Sequence, residues 1–196
     1  MQETIKDQIK ESIAVKEALL KDASLVEKME RAAVLMIACL KNGGTIAFCG
    51  NGGSAADAQH LAAEFVGRYQ KERAGWAAIA LNVNTSILTA IGNDYGFDRV
   101  FSRQVEALLS KNDILVGIST SGNSKNILEA FKTAKTKGVT CIALTGQGGG
   151  AMADDCELLL DVPARNTPRI QESHIMIGHI ICSLVETTLV NDHQPR

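Results

Sequence analysis

The 196-residue chain is predicted to be an α/β protein: a three-layer α/β/α sandwich around a five-stranded parallel sheet, with helices ahead of it at the N-terminus. Three observations predict this. Short apolar runs alternate with longer segments of helical periodicity from Thr45 onward. The runs lack polar alternation, which marks strands covered on both faces. The composition, 45% hydrophobic and 21% charged, supplies a substantial core. Repeated strand–helix units imply right-handed crossovers, and five strands give the flavodoxin-like arrangement.

Each element follows in order. Ile5, Ile9, Ile13, Lys16 and Leu20 lie three to four apart, an amphipathic helix with Lys16 as the one polar member of its stripe. A second helix is predicted over about 25–41, stopped by Gly43 and Gly44. These helices occupy about 1–42, and the α/β core about 43–190, within a single domain over 1–196. Strands are predicted at 45–49, 77–81, 113–118, 139–144 and 156–162. Helices are predicted at 55–66, 85–91, 98–109, from after Ser124 to Gly138, and at 169–190, with a polar tail over 191–196. Gly148, Gly149 and Gly150 make a turn after the fourth strand.

Charge and cysteine usage exclude several functions. Lys+Arg is 20 and Asp+Glu 22, a net charge of −2, so no broad basic nucleic-acid surface is expected. The first ten residues are charged and lack an apolar core, so no secretory signal is expected. The longest apolar stretch, 175–185, is broken by His179 and reads as too short to span a bilayer. A cytoplasmic protein without a membrane partner is the expectation. Cys39, Cys49, Cys141, Cys156 and Cys182 form no CxxC pair and read as reduced core thiols.

Parallel sheets bind ligands beyond the carboxyl ends of their strands, and two loops there carry chemistry. Gly50-Asn51-Gly52-Gly53-Ser54 follows the first strand. Its glycines allow close backbone approach, and Ser54 is placed to cap the next helix, whose N-terminus favours an anion. It is neither a P-loop nor a GxGxxG fingerprint, and its plain alternative is a strand-to-helix turn. Ser119-Thr120-Ser121-Gly122-Asn123-Ser124 follows the third strand, with more hydroxyls than an ordinary cap requires. Two such loops on neighbouring strands point to a phosphate cradle. A third loop, Gly92-Asn93-Asp94, offers groups for sugar hydroxyls, though a simple turn explains it equally well.

Polar residues also interrupt two helices. His60 and Glu64 are four apart and share a face; Gln171 and His179 are eight apart, close to two turns. His179 sits in an otherwise apolar run, where a histidine is costly without a partner. Glu172 and His174 share that helix, and spacing does not decide which of these faces a pocket. Two His, one Glu and one Gln could hold a divalent metal, or Glu64 and His179 could serve as an acid–base pair. A surface pair and a satisfied core histidine are the plainer alternatives. The last helix is apolar around much of its circumference, which suggests burial between subunits.

Taken together, these residues resemble the sugar isomerase (SIS) domain family, and within it the sedoheptulose 7-phosphate isomerase branch. CGNGGS at 49–54, GND at 92–94, ISTSGNS at 118–124 and RIQExH at 169–174 carry the resemblance, with His60, Glu64 and His179 the most specific part. It implies that Asn51, Gly52, Gly53, Ser54, Ser119, Thr120, Ser121 and Ser124 hold the substrate, chiefly its phosphate. Asn93 and Asp94 would contact hydroxyls, with Glu64 and Gln171 also lining the substrate site. His60, Glu64, Gln171 and His179 would bind zinc, Glu64 and His179 would be catalytic, and no nucleotide cofactor would be needed. A homotetramer with sites shared between subunits is implied. Some members have Asp where this chain has Pro168, so no role is carried over there. The implied reaction is an aldose–ketose isomerisation of a sugar phosphate that feeds bacterial surface glycans. A non-catalytic SIS relative, which associates with a replication initiator and regulates it, lacks counterparts of Glu64 and His179.

Overall fold

The computed structural model describes residues 1–192. Two helices come first, α1 (Gln2–Lys21) and α2 (Ala23–Lys41). The strands β1 (Ile46–Gly50), β2 (Ala78–Ala80), β3 (Ile114–Ser119), β4 (Thr140–Thr145) and β5 (Leu158–Asp161) follow. They are interleaved with α3 (Gly53–Val66), α4 (Thr85–Tyr95), α5 (Ser102–Leu108) and α6 (Lys125–Thr136), and α7 (Thr167–Asp192) closes the chain. All strand pairs are parallel, in the order β2-β1-β3-β4-β5. The order reverses direction between β1 and β3, the point where such sheets open a crevice. The register Gly50↔Ile118 brings those two strand ends level, so the two Gly/Ser loops leave the sheet side by side.

Every residue of β1 and β3 is buried, as their unalternated apolar runs require. Phe48, Val116, Ile142 and Leu144 point to one face, against Met36 of α2, Leu61 and Phe65 of α3 and Ile177 and Ile181 of α7. Ala47, Cys49, Leu115, Cys141 and Ala143 point to the other, against Val105, Ile127 and Phe131 of α5 and α6. The result is the predicted three-layer sandwich. Asp22 caps α2 by accepting the Leu25 N–H at 3.0 Å.

Several expectations are corrected. The predicted loop at Gly92, Asn93 and Asp94 is the last turns of α4, because helices tolerate an interior glycine and the stop comes at Gly96, with φ of +88°. Ser54 does not cap α3: the helix starts at Gly53 behind Gly52, which puts Ser54 inside the first turn. The segment 98–109 divides into a 3-10 turn, Phe97–Arg99, and α5. The helix α7 begins two residues early, with Pro168 in its first turn where a missing N–H is no loss. It also absorbs Asn191 and Asp192 from the predicted tail; 193–196 lie outside the described residues. At 26 residues α7 is long and apolar enough to cross a membrane by length and composition, unlike the short stretch read from sequence. Half of its apolar window is buried against the rest of the fold, the position of a core helix.

The predicted stripe of α1 is inverted. Ile5, Ile9, Ile13 and Leu20 are exposed, while Leu19 is buried and Val15 packs against the core. Polar contacts hold α1 instead: Ser12 Oγ and Lys16 Nζ donate to Glu172 at 2.7 and 3.2 Å, and Arg169 donates to the Gln8 carbonyl at 2.7 Å. The exposed isoleucines line an open groove of about 630 Å³, separate from the cavity at the Gly/Ser loops. All five cysteines are free. Burial pushes the Cys39 thiol up to about 11 and those of Cys49 and Cys182 to about 12, and it also raises Cys141 and Cys156.

Candidate active site

The loops after β1 and β3 enclose a cavity of about 130 Å³ lined by Asn51, Ser54, Ile118, Ser119, Thr120, Ser121, Ser124 and Gln171. Two helices begin at its wall, α3 behind Gly52 and α6 behind Ser124. Their free N–H groups and dipoles favour an anion, so this cradle needs no Lys or Arg in its lining. The hydroxyls are gathered: Ser119 Oγ lies 2.8 Å from Ser124 Oγ and 3.5 Å from Ser121 Oγ. Ser121 Oγ also accepts the Asn123 N–H at 3.2 Å, and Asn123 Oδ1 accepts the Ala151 N–H at 2.9 Å, which ties the loop to the turn after β4.

Asn51 is locked by a residue that the sequence did not flag. Its side-chain amide and that of Asn126 exchange two hydrogen bonds, both 2.9 Å. Asn126 is buried in the first turn of α6, and this pair joins the two loops across the switch point. An asparagine just inside a helix carries no local signal of such a partner. On the far wall, Gln171 approaches α3 closely: a Cβ on Gly53 would lie 2.4 Å from Gln171 Nε2, so a side chain there would displace the amide. Gln171 makes no side-chain hydrogen bond among the described residues.

A second cluster forms where α3 and α7 touch. Gly178 faces Leu61 so closely that a Cβ would lie 2.5 Å from Leu61 Cδ2. That approach brings His60 and Glu64 of α3 to His179 of α7. His60 Nε2 is 3.0 Å from Glu64 Oε1 and 3.0 Å from His179 Nε2, and the three donor atoms lie within 4.8 Å of one another. The expected surface pair therefore has a third member from another helix, and His179 faces that pair rather than the core. One N–H on His60 cannot bond both partners at once, whereas a cation among the three would satisfy every lone pair. Donors about 2.0–2.1 Å from a tetrahedral ion are spaced about 3.4 Å apart, close to what is seen. The donor set and spacing fit a zinc-type ion. One turn before His60, Asp57 has a buried Oδ2 without a hydrogen-bond partner among the described residues. Burial raises its carboxyl above the usual range, with His60 pulling the other way.

The remaining polar residues of α7 separate. Glu172 turns to α1, where it accepts from Ser12, Lys16 and Arg169. His174 is buried with its Nε2 3.0 Å from the Thr145 carbonyl, and burial lowers its pKa to about 4. Asn93 and Asp94 are exposed on α4 and hydrogen-bonded to each other at 2.8 Å; they line neither the cavity nor the trio. Tyr69 was not singled out from the sequence. Its ring lies 5.7 Å from that of His179, and burial, then Cys182, Glu64 and Glu186, raise its phenol pKa.

Hydroxyl-lined loops at the switch point, with a carboxylate and two imidazoles converging between α3 and α7, form the kind of site an α/β enzyme carries. The SIS domain family model matches residues 9–146. Phosphoheptose isomerase of Burkholderia pseudomallei is 52% identical over 185 residues, covering 94% of each chain. A solved phosphoheptose isomerase from Neisseria gonorrhoeae is 51% identical, with a TM-score of 0.89 over 95% of this chain and 98% of its own. One from Francisella tularensis is 38% identical, with a TM-score of 0.91 over the same shares. The chain belongs to the SIS domain family and, within it, to the phosphoheptose isomerases; it is an isomerase.

Proposed function

We propose that the protein converts D-sedoheptulose 7-phosphate to D-glycero-D-manno-heptose 7-phosphate. A proton would move between C1 and C2 through an enediol. The observation that carries this reading is the convergence of Glu64 and His179, from two different helices, beside an anion cradle. The cradle of Asn51, Gly52, Gly53, Ser54, Ser119, Thr120, Ser121 and Ser124 would hold the phosphate and fix the reacting carbons. Gln171 stands at the cradle and His179 eight residues further along α7, about 12 Å by helical rise, a span suited to an open-chain heptose phosphate.

Glu64 engages His60 through Oε1. Its Oε2 would take the proton from one carbon and return it to the next, while His179 would hold a proton at the substrate oxygen. His60, Glu64 and His179 would hold zinc, and the unpaired Gln171 amide suits either a sugar hydroxyl or a fourth donor position. When bound, the ion would supply Lewis-acid polarisation of the carbonyl. No step requires a nucleotide cofactor. The exposed stripe of α1 and the exposed Ile180 and Leu184 of α7 support a homo-oligomer, a tetramer with shared sites by the family resemblance. The product would feed nucleotide-activated heptose for bacterial surface glycans, made in the cytoplasm.

The test is incubation with sedoheptulose 7-phosphate, with and without a chelator, followed by NMR of the sugar. Wild-type protein is expected to form the heptose 7-phosphate, with loss on chelation. Glu64→Gln is expected to lose turnover while still binding the phosphorylated sugar. Near-normal turnover by Glu64→Gln would overturn the assignment. Sugar-phosphate binding without conversion by metal-loaded protein would instead indicate a regulatory binding module.

A further inference from the structure

The chain between α3 and β2 hangs on one buried charge pair. The side chains of Arg73 and Glu186 are 6% and 2% exposed. Glu186 Oε1 accepts the Tyr69 N–H at 2.9 Å and Arg73 Nε at 3.0 Å; Oε2 accepts the N–H groups of Gln70 and Lys71 at 2.7 and 2.9 Å. The rest of the Arg73 fork donates to the carbonyls of Glu64, Phe65, Gly67 and Ala74, and its guanidinium lies 3.6 Å over the Trp76 ring. Burial raises the Glu186 carboxyl, but the N–H groups of Gln70, Tyr69 and Lys71 and the Arg73 charge outweigh it and hold it below the usual range.

A buried ion pair earns stability only when its hydrogen bonds are completed, and here they are completed almost wholly by backbone. The pair grips the carbonyl of Glu64 itself, the loop that carries Tyr69, and α7 two turns beyond His179. Tyr69 is what this clamp delivers to the site. Among the described residues His179 has two ring neighbours, His60 at 4.9 Å and Tyr69 at 5.7 Å, the latter tilted by 32°. His179 is partly solvent-accessible, and its backbone alone leaves its ring plane undetermined.

We propose that Tyr69 is a positioning residue for His179, its ring fixing the imidazole plane so that Nε2 stays aimed at His60 and Glu64, and that the Arg73–Glu186 clamp holds Tyr69 there. This rests on the reading that Glu64 and His179 move the proton. The hydroxyl has no part in it; the ring does.

The experiment compares full-length Tyr69→Ala and Tyr69→Phe, by steady-state turnover of sedoheptulose 7-phosphate and by the His179 Cε1–H signal in NMR, assigned with His179→Gln. In Tyr69→Ala, kcat is expected to fall about tenfold to a hundredfold, the effect of displacing a catalytic group by about 1 Å, with KM changed by less than about twofold. Tyr69→Phe restores kcat. The His179 signal shifts in the Ala variant and stays in place in the Phe variant. Unchanged kcat in Tyr69→Ala, an equal loss in Tyr69→Phe, or an unmoved His179 signal in Tyr69→Ala would each overturn the proposal. Glu186→Gln is expected to reproduce the Tyr69→Ala pattern, and wild-type kcat with an unmoved His179 signal would overturn the clamp. Should that variant not fold, Arg73→Lys, which keeps the charge, is held to the same pattern and the same overturning result. Should the wild-type protein leave the sugar unconverted, the functional reading fails, and the NMR comparison decides the positioning role by itself.

Discussion

Gly178→Ala probes whether the spacing of α3 and α7 sets the reactivity of the site. The added Cβ would lie 2.5, 2.7 and 3.2 Å from Leu61 Cδ2, Cδ1 and Cγ. Carbon atoms rest about 3.5–4.0 Å apart, so Leu61 must rotate or the helices must part by about 1 Å. Rotation has little room. Leu61 is 2% exposed, and the void it shares with Met36, Phe48 and Phe65 measures about 10 Å³. Alanine gains about 1 kcal/mol of helix propensity over glycine, while overpacking costs about 1–3 kcal/mol. The net is a loss of about 1 kcal/mol, a fall of about 2–4 °C in Tm for a chain of this size. The catalytic effect is larger. Parting the helices stretches the 3.0 Å contact between His60 and His179, and a 1 Å misplacement costs about a hundredfold in rate. Thermal unfolding and kcat, measured on the same preparation, decide it. A higher Tm with unchanged kcat would refute the reasoning, since it would show that the α3–α7 contact is slack.

Three further outcomes are expected. Asn126→Ala removes both 2.9 Å bonds to Asn51 and leaves that amide unpaired; stability should drop by about 1–3 kcal/mol and KM for the sugar phosphate should rise, as read by urea unfolding and initial rates. Ser119→Ala combined with Ser121→Ala should chiefly raise KM, and an unchanged KM would count against the cradle. His174 has a folded pKa of about 4, depressed by burial, against 6.5 unfolded, so on acidification the unfolded chain takes up the proton first. Stability should therefore fall as pH drops from about 6.5 toward 4, by about 2 kcal/mol at pH 5, and His174→Gln should flatten that slope in urea titrations at pH 7 and 5; parallel slopes would remove His174 as the cause.

The layered fold was legible because buried parallel strands read as unbroken apolar runs, and β1 and β3 are buried throughout. That the two Gly/Ser loops share one cavity was legible for a related reason. Glycines and hydroxyls crowd directly after those runs, where a parallel sheet must expose its strand ends. What escaped was decided by partners distant in sequence. Asn126 looks like any residue in a first helical turn until Asn51 is set against it, 75 positions away. Nothing local marks Arg73 and Glu186 as partners, 113 positions apart, and it is the fold that closes three backbone N–H groups around the carboxylate. The stripe of α1 misled because periodicity identifies an apolar face without saying which molecule covers it; this helix is tied down through Ser12, Lys16 and Gln8 instead. At Gly92 the sequence offered a stop, but Gly96, four residues on, is the glycine with positive φ.

The five thiols give the molecule its own gauges of opening. Burial keeps the Cys49 and Cys182 thiols protonated and out of a reagent's reach, so an alkylating reagent reacts with them through opened states. Their labelling rates convert into local opening free energies without any engineered probe. Cys49 and Cys141, in the central strands, would time the parting of the sheet. Cys39, at the end of α2, would time release of the N-terminal helices, and Cys182, one turn from His179, would time loosening of the helix on which the site depends.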